Sequence, residues 1–205
     1  IFHWALALAM VGSVVTAKIG GNAMGWHMRL GLFVMALLLF RLVWGFVGGH
    51  WSRFASFLYA PSSVAAYLRG DPGPDGRFDV GHSPLGALSV FALLLLLIAQ
   101  VATGLVADDE IATTGPLNRY VSSALGLRAT SWHNTFGQYL IITLVVLHIA
   151  AVLFYLLKKQ RNLIGPMWHG DKTLAPGTPA SADNAKQRLL AAVLIALALG
   201  LSWSI

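Results

Sequence analysis

The sequence predicts an all-α membrane protein: a four-helix transmembrane bundle with a fifth transmembrane helix at its C-terminal end. Three observations carry this reading. The 205 residues are 57% hydrophobic and only 11% charged, too little charge to cover the surface of a soluble domain of that size. Apolar runs able to cross a ~30 Å hydrocarbon core recur at about residues 2–19, 25–47, 84–107, 132–157 and 187–205. Histidines stand inside or beside the first four runs, and they sort by depth.

The charges fix an orientation. Lys158, Lys159, Arg161, Lys172, Lys186 and Arg188 lie between the fourth and fifth runs, and Arg53, Arg69 and Arg77 between the second and third. The opposite loops hold Lys18, Arg119 and Arg128 beside the acidic run Asp108-Asp109-Glu110. By the positive-inside rule the basic loops are cytoplasmic. That puts the N-terminus in the cytoplasm and the C-terminus in the periplasm of a bacterial inner membrane. The net charge of +6 is therefore topology, not a nucleic-acid footprint.

The first span, FHWALALAM, carries His3 at its cytoplasmic end, as an interfacial residue or as a ligand. The second opens at the periplasmic side with GWHMRLG and carries His27. Gly31 follows one turn later on the same face and leaves a bare patch that suits either close helix packing or a flat ligand. Arg41, deeper in the same span, must snorkel or find an anion, and Arg29 faces the same choice. Residues 48–81 read as short amphipathic pieces on the membrane surface around Pro61, ended by the turn sequence DPGPDGRFD; His50 is a surface residue there. The third span begins after GHSPLG, where Pro84 suits a first helical turn. His82, just before it, is a cap, a hydrogen-bond donor to a bound group, or a substitute for His3. Within that span Gln100 is the one polar interior residue.

The fourth span organises the rest. WHNTFGQYLIITLVVLH places His133 and His148 on one helix, with Gly137 one turn beyond His133. On an unbroken helix the two histidines stand roughly 22 Å apart and only about 60° apart in angle. Because successive spans alternate in direction, His27 falls level with His133 and His3 with His148. Intramembrane titratable groups need partners, and for paired neutral imidazoles the expected partner is haem iron, one at each depth. A propionate of the inner haem is a suitable anion for Arg41. The chain has no cysteine, which excludes thioether-linked haem, cysteine-held iron–sulfur clusters and disulfides. His169 lies beyond the membrane, and the fifth span carries no ligand-type residue, so it packs outside the bundle or on another subunit.

Together, FHW, WH-x-x-x-G, GHSPLG and WHNTFGQYLIITLVVLH resemble the bacterial cytochrome b561 family and the related di-haem cytochrome b subunits of Ni-Fe hydrogenases and formate dehydrogenases. The resemblance covers residues 1–172, leaving a linker at 173–186 and the added helix at 187–205. It implies two non-covalent b haems, each with two histidine ligands: His27 with His133 outside and His3 with His148 inside, with Arg41, Gly31, Gly137 and His82 around them. It also implies electron transfer across the membrane between a quinone pool and a periplasmic redox protein, either a c-type cytochrome or a dehydrogenase or hydrogenase subunit. Two other classes compete: a stand-alone quinone oxidoreductase of the superoxide type, and a haem-free transporter or assembly subunit using its histidines as proton carriers.

Overall fold

The computed structural model describes residues 1–71, 78, 80–172, 174, 177–181 and 183–205. Most of the expected turn DPGPDGRFD, at 72–77 and 79, therefore lies outside the described residues, as do 173, 175, 176 and 182 of the linker. The long helices are α1 (Phe2–Ile19), α2 (Met24–Val47), α4 (Pro84–Val106), α6 (Gln138–Leu157) and α8 (Ala185–Trp203). Shorter ones are α3 (Pro61–Leu68), α5 (Ser123–Ser131) and α7 (Ile164–His169). Among the described residues five helices are long and apolar enough to cross a membrane, the pattern of a multi-pass all-α protein.

Local chemistry explains the element boundaries. Between α1 and α2 the chain reverses through Gly20 and Gly21, both at positive φ (68° and 52°), where a side chain would be strained. The Ser83 side chain accepts from the Gly86 N–H to cap α4, with Pro84 in its first turn. Ser122 and Asn184 cap α5 and α8 in the same way. The end of α4 is closed by the loop beyond it. Leu117 N–H donates to Leu105 O, and Asn118 Nδ2 donates to Val106 O, taking up carbonyls that a helix end would leave free.

Packing runs α1 on α2, α2 on α4, and α4 on α6, while α8 lies against the outer side of α2. At mid-depth Ala9, Val34, Leu38, Leu94, Leu97 and Ile141 form a core drawn from all four bundle helices. Gly12 lets α1 close onto α2, since an added Cβ would come within 2.9 Å of the Leu30 side chain. The histidines lie above and below this core. Large apolar side chains along α6, from Tyr139 to Leu157, remain exposed, as suits a surface solvated by lipid.

The fourth span begins earlier than the sequence suggests. Its helix runs from Ser123 to Leu157, so residues assigned to a loop ahead of Trp132 are helical. Trp132–Gly137 forms a π-helical segment within it. One extra residue in that turn rotates the remainder of the helix by about 100°, so an angular offset near +60° becomes roughly −40°. His133 and His148 face one side of the helix by either count.

A candidate di-histidine cofactor site at each end of the bundle

His27, in the first turn of α2, and His133, in the π segment, bring their rings to 5.9 Å between centroids with planes at 88°. At the other end His3, in the first turn of α1, and His148, midway along α6, stand 6.3 Å apart with planes at 43°. Two imidazoles sharing one metal, with bonds of ~2 Å on either side, put their ring centres ~6 Å apart. Both pairs have that spacing.

The second nitrogens at the first site are already engaged. His27 Nδ1 is 2.9 Å from Ser13 O, and His133 Nδ1 is 2.9 Å from Gln100 O. A carbonyl can only accept, so each Nδ1 carries the proton and each Nε2 is left as an unprotonated ligand atom. Gln100 also reaches back, its Nε2 donating to His133 O at 2.9 Å. Gly104, one turn after Gln100 on α4, makes room for the ring: a Cβ there would sit 2.8 Å from His133 Cε1. The sequence names Gln100 without a role and passes over Gly104, although a polar residue and a glycine at i and i+4 of a Leu-Ala helix was the available signal.

The two glycines expected to flank the outer histidines differ. Gly31 faces open space, with nothing within 4 Å of an added Cβ. Gly137 is buried, and its Cβ position is crowded by Gln100 Oε1 and Trp132 Nε1. Its side of the helix is therefore filled by protein, because the π turn carries Gly137 toward α4.

At the second site His3 Nδ1, Arg41 Nη1 and His82 Nδ1 are all buried without a hydrogen-bond partner. Arg41 does not snorkel. Its guanidinium lies 4.6 Å above the Phe54 ring and 5.9 Å from that of Phe57, and the Phe54 ring packs on α2 at Gly45, where a Cβ would collide with it. His82 packs against the other aromatic, Phe57, with ring centroids 4.5 Å apart and planes tilted by 42°. Burial, then the nearby Arg41 guanidinium, hold His82 below its ordinary pKa, so it is neutral at pH 7. The cluster is thus a buried cation and a neutral imidazole with unused polar atoms, which fits a bound carboxylate. Sequence reasoning missed Phe54 and Phe57, which hold Arg41 there.

Other histidines and charges stand apart. His50 is exposed and meets Trp51 edge to face, His169 is exposed at the end of α7, and Arg29 lies 5.1 Å over the exposed Trp26. In the acidic loop Asp109 accepts from the backbone of Ile111, Ala112 and Thr113, which holds its carboxyl at about 2. Among the described residues no group of three or more His, Cys, Asp or Glu could hold a metal by side chains alone. Paired imidazoles instead suit an iron whose remaining positions are filled by a macrocycle.

The fold and the two histidine levels define a class: helical membrane proteins built to hold a haem within the bundle. The profile of prokaryotic cytochrome b561 matches residues 1–170, and the chain belongs to that family. It is a membrane b-type cytochrome of electron transfer. It is 26% identical over 205 residues to "Probable Ni/Fe-hydrogenase 1 B-type cytochrome subunit" of Escherichia coli (strain K12), covering 83% of this chain and 86% of that one. A second relative, "Probable Ni/Fe-hydrogenase B-type cytochrome subunit" of Bradyrhizobium diazoefficiens, is 22% identical over 211 residues, covering 84% and 82%. No solved structure matches the chain.

Proposed function

We propose that this cytochrome carries electrons across the inner membrane through two b haems, one held by His27 and His133 and the other by His3 and His148. The observation that carries the reading is the repeat of a ~6 Å imidazole spacing at two depths. When bound, haem supplies a one-electron iron centre whose potential is set by its ligands, their hydrogen bonds and burial. The chain's part is to hold His27 and His133 in the ligating tautomer, to keep both sites within apolar helices, and to offer Arg41 and His82 to a propionate. Gly31 leaves α2 open beside His27 for the edge of the macrocycle. Two ligands per iron leave no open position, so oxygen chemistry is disfavoured. Basic loops at the His3–His148 end favour its cytoplasmic placement.

The relatives point to the partner. Both are described as Ni/Fe-hydrogenase cytochrome subunits, which supports a periplasmic hydrogenase as electron donor and the quinone pool as acceptor. The test is reconstitution in vesicles with ferricyanide trapped inside and dithionite added outside. Wild-type protein should speed the loss of internal ferricyanide, while His133→Ala and His148→Ala should not. Vesicles no faster than protein-free controls would contradict the reading.

A further inference from the structure

Gln100 is the largest polar residue of the apolar span α4, which also carries Ser89 and Thr103, and its amide and its main-chain carbonyl both meet the same neighbour. We propose that Gln100 is a positioning residue for the axial ligand His133, gripping that residue on both sides. Its main-chain carbonyl accepts the hydrogen bond from His133 Nδ1–H, and its side-chain amide donates to the His133 carbonyl. The two bonds join the same pair of residues on α4 and the π segment, so ring and backbone of the ligand are fixed together.

The rest of the arrangement supports this role. With Nε2 committed to His133 O, Gln100 Oε1 must point the other way, toward Gly137. Trp132 Nε1 reaches the same place. Both atoms are buried without a hydrogen-bond partner, and both crowd the space a Cβ on residue 137 would take. Any side chain at residue 137 would separate them. The π segment also has a reason here: it turns the carbonyl of His133 toward α4, where the amide meets it. Thr103 Oγ1, 3.5 Å from His133 Nδ1, adds at most a weak contact. A ligand imidazole whose Nδ1–H is firmly held by a carbonyl is a stronger donor to its metal. The clamp therefore lowers the potential of the haem at this site, and it rests on the reading that His133 is a ligand.

The test is Gln100→Leu, which keeps chain length and the main-chain carbonyl but removes the amide. Purified wild type, Gln100→Leu, Gly137→Ala and His27→Ala are compared by haem content, low-temperature EPR and redox titration. His27→Ala identifies which signal belongs to the outer haem. In Gln100→Leu that signal should move and its midpoint rise, by about a tenfold change in the reduced-to-oxidised ratio, which is ~59 mV for one electron. The inner haem should keep its signal and midpoint, which also reports that the variant has folded. Gly137→Ala should shift the same signal in the same direction. Equal shifts at both haems, or none at either, would overturn the assignment. Wild type and His27→Ala with the same haem content would instead show that the ligand reading itself fails.

Discussion

The two ends of the bundle use the same residue type in different surroundings. At the His27–His133 end both rings hydrogen-bond to main-chain carbonyls, of Ser13 and Gln100, and His133 lies in a π segment. At the His3–His148 end His3 Nδ1 is buried without a partner, and among the described residues no hydrogen bond holds the ring of His148. What that end has instead is a buried cation, Arg41, on an aromatic base. Carbonyl-bonded imidazoles are electron-rich and favour ferric iron, while a nearby cation favours the reduced state. The difference teaches that two sites of equal composition can be poised apart. On the proposed two-haem reading, the haem at the His27–His133 end is expected to be the lower in potential and the other the higher, so that electrons entering at that end run toward the other.

The sharpest way to break the comparison is to delete one end. His27→Ala or His133→Ala should remove one haem per chain and spare the other, and His148→Ala should do the reverse, as counted by pyridine haemochrome. His3→Ala against His82→Ala decides the remaining inner ligand. Loss of a haem only in His82→Ala would reassign it.

Crowding comes next. Gly104→Leu should push the His133 ring aside and cost most of the outer haem, because even a Cβ there would stand 2.8 Å from the ring. A Cβ at Gly31 has no protein atom within 4 Å, so a loss of haem in Gly31→Leu reports crowding of a group on that open face. A full complement of haem in Gly31→Leu would show that the open face of α2 is lipid-facing only.

A smaller effect sharpens the electrostatic side. Arg41→Leu should lower the inner midpoint and leave the outer one in place. A unit charge acting over ~10 Å at an effective dielectric of ~20 is worth on the order of 1–2 kcal/mol. A redox titration in which the outer haem moves instead would put the guanidinium's influence at the wrong end.

The smallest effect belongs to the acidic loop. Asp109 is held at about 2 by backbone N–H donors, below its ordinary value. Its contribution to loop order is therefore complete above about pH 4 and lost as pH falls through about 2. An NMR titration of its carboxyl carbon should show a midpoint near 2; a midpoint near 4 would mean the loop does not hold it.

Much of this was legible in the sequence because membrane spans are written in long apolar runs, and a histidine inside one stands out. Depth came from span direction, so His27 with His133 and His3 with His148 could be paired before any coordinates. What could not be read depends on the path of the backbone. The π turn at Trp132–Gly137 has no marker in residue type, and it moved Gly137 from an expected open face to a buried contact with Gln100. Ser13 acts through its carbonyl, which every residue has. Phe54 and Phe57 come from a loop whose approach to Arg41 is a matter of tertiary packing.

The central claim, two bis-histidine haems at two depths, is tested most directly by one measurement on purified protein. This is a dithionite-reduced minus oxidised spectrum with pyridine haemochrome quantitation and carbon monoxide added to the reduced sample. Two b haems per chain, low-spin bands and no carbon monoxide shift are expected. A single haem, a clear carbon monoxide shift, or a colourless preparation would contradict it.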